Sequence, residues 1–140
     1  AKEKPVLGIC VGMQALLQHS EENKGVDCLR LLPGNVKFFG QNHKDKQGDR
    51  LKVPHMGWNN VQQSKNHPMW KNIKSGSSFY FVHSFYASDV KKEYVTGTTN
   101  HGEEFTCAIA KENIFAAQFH PEKSSELGLQ LLDNFISWKI

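Results

Sequence analysis

Residues 8–14 read Gly-Ile-Cys-Val-Gly-Met-Gln, and the apolar pair Val6-Leu7 leads into them. An apolar run followed by good helix formers predicts a strand over residues 4–9 and a helix over residues 12–22. Cys10 then lies at a sharp corner, where glycines at 8 and 12 remove Cβ atoms that would clash. The helix start also favours a thiolate. The alternative is a small buried cysteine in a glycine-rich turn.

A second motif, His120-Pro121-Glu122, lies near the other end of the chain. Side chains two residues apart on an extended strand point to the same face, so Glu122 can reach one ring nitrogen of His120. The other nitrogen is then free to face a thiol. Cysteine, histidine and a carboxylate in this arrangement are the nucleophile, base and orienting group of acyl-transfer chemistry.

Composition narrows the class of protein. A length of 140 residues, with nine Phe and three Trp, predicts a single domain over residues 1–140 with a real core. The net charge of +3 is mild and spread out, so nucleic acid is not indicated. Cysteines at 10, 28 and 107 have neither disulfide-framework nor zinc spacing, and we expect no metal and no cofactor. Without a signal peptide or a long apolar run, we expect a cytoplasmic protein with no membrane contact.

The remaining pattern alternates helical and strand-like segments. A polar stretch over residues 40–52 is typical of a solvated loop. The order strand–helix, strand-rich middle, strand–helix indicates an α/β domain with an antiparallel section. We predict a turn at Pro33-Gly34, strands around Val36–Phe39 and over 58–62, 77–84, 93–99, 104–110 and 114–119, a helical turn over 67–73, and a helix over 125–138 capped by Ser124 or Ser125.

Residues 8–14 and 120–122 resemble the nucleophile segment and the other two triad members of class I (triad) glutamine amidotransferases. Residues 53–59, 79–84 and 118–124 resemble, within that family, the glutaminase subunits of imidazole glycerol phosphate synthases of histidine biosynthesis. The resemblance covers essentially all of the chain. It implies a flavodoxin-like three-layer α/β fold with a mostly parallel central sheet and an antiparallel extension.

The resemblance also implies that this chain matches the C-terminal two thirds or so of the usual domain. We therefore expect the N-terminal portion, with the family's oxyanion-stabilising glycine-rich loop, to be missing. The loss of one oxyanion donor costs about 10²–10³ in rate, so we expect the 140-residue chain alone to be inactive or weak.

The family's residue roles carry over onto matching positions. The implied catalytic residues are Cys10, His120 and Glu122, with the backbone N–H of Val11 as an oxyanion donor. The implied L-glutamine contacts are Gln14, Glu22 and the segment His83, Ser84 and Phe85. The resemblance also implies a heterodimer with a (β/α)₈ cyclase subunit, which receives the ammonia. The implied face for this partner consists of Met56, Trp58, Tyr80 and Lys123. Solvated polar side chains and ordinary core burial remain open alternatives for the binding and interface residues.

Three other functions stay open. A paralogous amidotransferase would supply ammonia to another acceptor, for example in surface-sugar modification. A truncated amidotransferase would persist as an inactive binding piece. A cysteine hydrolase or chaperone of the related single-domain superfamily also uses Gly-x-Cys-x-Gly, but it leaves the His120 and Glu122 motif unexplained.

Overall fold

The structure is a computed structural model that describes residues 4–22, 25–39 and 54–139. These residues form two helices and one ten-stranded sheet. The helices are α1 (Val11–Ala15) and α2 (Ser125–Ser137), and the strands are β1 (Val6–Ile9), β2 (His19–Ser20), β3 (Val26–Asp27), β4 (Asn35–Phe38), β5 (His55–Gln63), β6 (Ser77–His83), β7 (Phe85–Ser88), β8 (Val95–His101), β9 (Glu103–Lys111) and β10 (Ile114–Ala117).

The sheet is mixed, with the strand order β3-β2-β4-β7-β9-β8-β5-β6 and with β10 joining β1 to β9. Two of the described ladders, β1/β10 and β2/β4, are parallel, and the others are antiparallel. The α/β class and its antiparallel section are as expected, but parallel pairs are the minority in the described residues. Antiparallel pairs predominate because the connections between strands are short. Strands β8 and β9, for example, are joined at Gly102 (φ 81°), and so tight a turn can link only antiparallel neighbours.

The two helices cover opposite faces of the β1/β10/β9 region. Successive side chains of β10 alternate between two core clusters, as strand geometry requires. Phe115 packs in the cluster that contains Leu131 of α2, whereas Ala116 packs in the cluster that contains Met13 of α1. This is the helix–sheet–helix layering that the resemblance implies. Neither described helix is long and apolar enough to cross a membrane.

Helix α1 is much shorter than the helix predicted over residues 12–22. The returning segment around residues 29–32 takes the carbonyls that a longer helix would use. The N–H of Leu29 donates to Ala15 O at 2.9 Å, and the N–H groups of Leu31 and Leu32 both donate to Leu16 O at 3.0 Å. Tertiary hydrogen bonds therefore end α1 after one turn, in spite of good helix propensity.

Most other predicted elements are confirmed with shifted ends, while residues 40–52 lie outside the described part. Two details were wrong. The strand predicted over 58–62 is longer than expected, since β5 runs from His55 to Gln63. Ser124 occupies the N-cap position of α2 without capping it, because its hydroxyl donates to His120 O at 2.6 Å and accepts from the N–H of Tyr80 at 2.9 Å.

Gly128 is the position where α2 meets the turn before it. A Cβ at Gly128 would lie 1.9 Å from Pro121 O, so Gly128→Ala must displace backbone. We expect it to lower the free energy of unfolding by about 3 kcal/mol or more, measured by urea titration. The matched control is Gly12→Ala in α1, where nothing lies within 4 Å of the added Cβ. A Gly128→Ala variant as stable as the control would contradict this packing.

Candidate active site

Cys10 lies at a strained corner between β1 and α1. Its backbone has φ 53° and ψ −107°, a conformation that costs on the order of 1–3 kcal/mol for a residue other than glycine. Gly8 permits the corner, since a Cβ there would approach Gly12 O within 3.1 Å and Leu16 Cδ1 within 3.2 Å. Gly12 has no such role, because a Cβ there would meet nothing within 4 Å. The prediction of steric need is therefore supported at Gly8 and wrong at Gly12.

Cys10 and His120 both contact backbone carbonyls of strand β6. The N–H of Cys10 continues the β1/β10 pairing by donating to Ala117 O at 2.8 Å, and Cys10 Sγ lies 3.7 Å from Val82 O. The N–H of His120 donates to Tyr80 O at 2.9 Å. Tyr80 and Val82 are alternate residues of β6, about 7 Å apart along the strand. The two residues are thus anchored on adjacent outward positions of one strand.

His120 is oriented by Glu122. Its Nδ1 lies 2.5 Å from Glu122 Oε1, and its Nε2 is buried without a hydrogen-bond partner among the described residues. The predicted pairing is present, although Pro121–Lys123 is a 3₁₀ turn and not the extended strand we expected. The carboxylate selects the tautomer with hydrogen on Nδ1, so Nε2 has a free lone pair. That nitrogen is the one a base needs.

The surroundings of Cys10 favour the protonated form of its thiol. Burial raises its pKa above the ordinary value, while the N–H of Val11 and the amide of Gln118 act in the opposite direction. The Glu122 carboxylate raises this pKa further, and Lys123 lowers it. The helix dipole was expected to favour thiolate, but α1 has only five residues, so desolvation dominates. The sulfur therefore requires a base to become a nucleophile.

Two predicted glutamine contacts and the predicted oxyanion donor line one cavity, which borders on the residue after Cys10. The cavity has a volume of about 210 Å³, and Val11, Gln14 and Glu22 all contribute to its wall, together with Cys28. Glu22 is exposed, whereas Gln14 is buried and donates from Nε2 to Phe85 O at 3.2 Å. The Glu22 carboxylate on the cavity wall suits the ammonium group of an amino acid. Contact between Glu22 and a ligand stays a prediction.

The segment from His83 to Phe85 is held by backbone contacts. His83 Nδ1 donates to Phe85 O at 2.7 Å, and Ser84 O accepts the N–H of Phe39 at 3.0 Å. Phe85 O therefore already has two donors, His83 and Gln14. A substrate carboxylate would need N–H groups of this segment, and that role stays a prediction.

The predicted partner face is exposed and partly apolar. Met56 is 62% exposed and Trp58 is 55% exposed. Trp58 pairs across the strands with Tyr80, with ring centroids 6.0 Å apart. Lys123 is exposed on the turn that follows His120, and His120 itself bonds to Tyr80. These four residues therefore lie around the end of the triad.

Gln118 is a site residue to which the sequence alone assigned no role. It is fully buried, and its Nε2 donates to Cys10 Sγ at 3.5 Å. Its Oε1 accepts from Gln14 Nε2 at 2.9 Å. The available signal was a glutamine inside an otherwise apolar strand, two residues before His120, since a buried polar side chain is more informative than an exposed one.

A buried histidine pair lies behind the site. His55 Nδ1 and His83 Nε2 are 3.0 Å apart, and Asn59 Nδ2 lies 3.2 Å from His55 Nε2. Because His83 donates from Nδ1 to Phe85 O, its Nε2 must accept, so His55 donates from Nδ1 and accepts from Asn59. Burial lowers the pKa of His55 to about 3 and that of His83 to about 4, with further lowering by the neighbouring histidines. Both rings are neutral at pH 7.

The described ranges contain no cluster of potential metal ligands. Among residues 4–22, 25–39 and 54–139, no three His, Cys, Asp or Glu side chains converge closely enough to hold a metal ion.

Comparison with known proteins gives the class of protein. The family model described as "Glutamine amidotransferase class-I" matches residues 1–138, and the chain belongs to this family. This is the family that the sequence motifs resemble. The chain that carries the strained cysteine corner and the histidine–glutamate pair is therefore a member of it.

Particular relatives refine the similarity. The chain is 55% identical over 138 residues to imidazole glycerol phosphate synthase subunit HisH of Pseudomonas putida, covering 99% of this chain and 65% of that protein. It is 53% identical over 139 residues to the HisH protein of Hydrogenovibrio crunogenus, covering 99% and 63%. The chain therefore spans slightly less than two thirds of the length of these relatives.

Solved structures support the fold. A putative GMP synthase component from Thermoplasma acidophilum matches with a TM-score of 0.66 at 20% identity, over 96% of this chain and 57% of that chain. A glutamine amidotransferase from Thermotoga maritima matches with a TM-score of 0.58 at 17% identity, over 97% and 48%. At these identities the likeness establishes the α/β amidotransferase fold alone.

The buried histidine pair generates a prediction for acid stability. The unfolded chain takes up protons on these rings below about pH 6.5, while the folded protein resists protonation until about pH 4 for His83 and about pH 3 for His55. Stability is therefore fully present above pH 6.5 and is lost as the pH falls toward 4. We expect a loss of about 1 kcal/mol per pH unit or more, measured by urea unfolding at each pH.

His55→Gln provides the comparison. One titrating ring is removed, so the slope of unfolding free energy against pH between 6.5 and 4.5 should decrease. A wild-type stability that stays constant over that range would contradict the neutral, hydrogen-bonded pair.

Proposed function

We propose that the full protein is the glutaminase subunit of an imidazole glycerol phosphate synthase. It hydrolyses L-glutamine and passes ammonia to a (β/α)₈ cyclase partner in histidine biosynthesis. The observation that carries the proposal is the joint anchoring of Cys10 and His120 on β6, with His120 braced by Glu122 at 2.5 Å. The family membership and the identity to HisH proteins support the same assignment.

The chemistry follows from the arrangement of protons. His120 Nε2 accepts the thiol proton of Cys10, and Glu122 stabilises the imidazolium that forms. The thiolate attacks the side-chain amide carbon of glutamine, and His120 returns the proton to the departing ammonia. Water then cleaves the glutamyl thioester and releases glutamate. The N–H of Val11 donates to the oxyanion of each tetrahedral intermediate.

Glutamine binding uses the cavity beside Cys10. Glu22 accepts from the α-ammonium group of the substrate, and Gln14 lies on the wall near the reacting amide. N–H groups of the His83–Ser84–Phe85 segment hold the α-carboxylate. The volume of about 210 Å³ is large enough for an amino acid.

The partner face lies next to the triad. Met56, Trp58, Tyr80 and Lys123 contact the cyclase, and aromatic anchors of this kind dominate binding energy at protein interfaces. Because Tyr80 also bonds through its backbone to His120 and Ser124, docking there is coupled directly to the base. Ammonia released at Cys10 then leaves toward the partner.

Cys10→Ser tests the nucleophile in the full protein with its cyclase partner. We expect glutamine-dependent turnover to fall by at least about 10³-fold, because a hydroxyl cannot replace the thiol at this site. Turnover of the partner with ammonium salts should persist, measured by formation of the imidazole product. A glutamine-analogue affinity label should map to Cys10 in the wild type by mass spectrometry.

Cys107→Ala is the matched control, since Cys107 is fully buried in the core and lies outside the cavity. It should retain glutamine-dependent turnover. Label found on Cys28 or Cys107 but not on Cys10 would remove the glutaminase assignment. If no cyclase partner forms the imidazole ring with this protein, the ammonia acceptor is a different one.

Trp58→Ala tests the partner face. We expect the affinity for the cyclase to fall tenfold or more, the usual cost of about 1.4 kcal/mol or above for removing a central aromatic anchor. Isothermal titration calorimetry measures this change. The control is Ile136→Ala on α2, another exposed apolar residue (82% exposed) on a different element of the fold. Equal effects of the two changes would exclude β5 as the docking strand.

A further inference from the structure

We propose that Gln118 is a positioning residue for the nucleophile: its side-chain N–H holds the sulfur of Cys10 and favours the thiolate when His120 removes the proton. This inference rests on the proposed function in one respect, namely that Cys10 is the nucleophile. It adds a fourth side chain to the triad and assigns it a definite chemical task.

The first support is the setting of Gln118. Its side chain is fully buried, and its backbone N–H donates to Cys107 O at 2.8 Å, which fixes the residue between β10 and β9. A buried amide is costly unless both of its ends are hydrogen-bonded. Gln118 meets this requirement with two side chains, Cys10 on one end and Gln14 on the other.

The second support is that the orientation of the Gln118 amide is determined by its neighbours. Phe85 O can only accept, so the Gln14 atom 3.2 Å from it must be the NH₂ group. The same NH₂ group lies 2.9 Å from Gln118, so the Gln118 atom there must be the carbonyl oxygen. The remaining end of Gln118, 3.5 Å from Cys10 Sγ, is therefore the donor.

The two contacts of the sulfur favour different protonation states. Val82 O, at 3.7 Å, can accept only from the thiol, whereas the Gln118 N–H gains strength when the sulfur is negative. The proton leaves Sγ for His120 Nε2, which has no hydrogen-bond partner among the described residues. No bond other than S–H breaks, and the negative charge on sulfur is then held by Gln118 and the N–H of Val11.

The test measures the pH dependence of iodoacetamide alkylation at each cysteine of the full chain, resolved by peptide mass mapping. Gln118→Met keeps the length of the side chain and removes the donor, and Gln118→Glu keeps the shape and places a carboxyl oxygen at the sulfur. We expect the apparent pKa of Cys10 to rise in the order wild type, Gln118→Met, Gln118→Glu. Each unit of rise slows alkylation at pH 7 by about tenfold.

Cys28 in the same chain is the internal control, because no described contact joins it to Gln118, and its alkylation profile should not change. In the complex with the partner, Gln118→Met should lower kcat for glutamine with little change in KM. An unchanged Cys10 profile in both variants would overturn the proposal. Failure of both variants to fold would assign the amide to the fold and would overturn it as well.

The alkylation profile separates this inference from the proposed function. If the unaltered complex does not hydrolyse glutamine but the ordered shift at Cys10 is present, the positioning role stands and the glutaminase assignment falls. If glutamine is hydrolysed and the profile does not move, the positioning role alone is wrong.

Discussion

The parallel pairing of β1 with β10 is the constraint on which the site depends. In this register Gly8 lies opposite Ala116 and Ile9 opposite Ala117, so the residues that follow each strand emerge side by side. Cys10 comes from one strand, and Gln118 and His120 come from the other. A shift of β1 by one residue would move Cys10 to the other face of the sheet and leave Gln118 and His120 where they are, because strand side chains alternate. The proposed nucleophile and the proposed base would then point to opposite sides of the sheet.

Strand β6 completes the arrangement from the other side. Its outward positions, Tyr80 and Val82, provide the carbonyls that His120 and Cys10 contact, while its inward position His83 is joined to His55 on β5. Hydrogen bonds therefore run without a break from Cys10 through Gln118, Gln14, Phe85 O, His83 and His55 to Asn59. The exposed Met56 and Trp58 occupy the same strand as the last two members, so the candidate site and the proposed docking face share strand β5.

Sequence reasoning succeeded where the signal is local. The strands predicted over 93–99 and 104–110, the strand ending before His120 and the long helix near the end of the chain were all confirmed, because turn chemistry and periodicity act over a few residues. Sequence reasoning failed where residues distant in the chain take over hydrogen-bonding groups that a local element would use. Helix α1 ends early since its carbonyls bond to residues 29–32, and Ser124 does not cap α2 because its hydroxyl bonds to His120 and Tyr80.

The sequence alone determined the chemical inventory: a cysteine at a glycine-flanked corner, a histidine two residues from a glutamate, and motifs specific enough to identify the amidotransferase family. These features depend on residue type and short spacing. Tertiary structure decided that burial raises the pKa of the Cys10 thiol and that Gln118 is its amide neighbour. Desolvation and contacts between residues far apart in the chain arise only once strands pair and exclude water, so no local pattern can encode them.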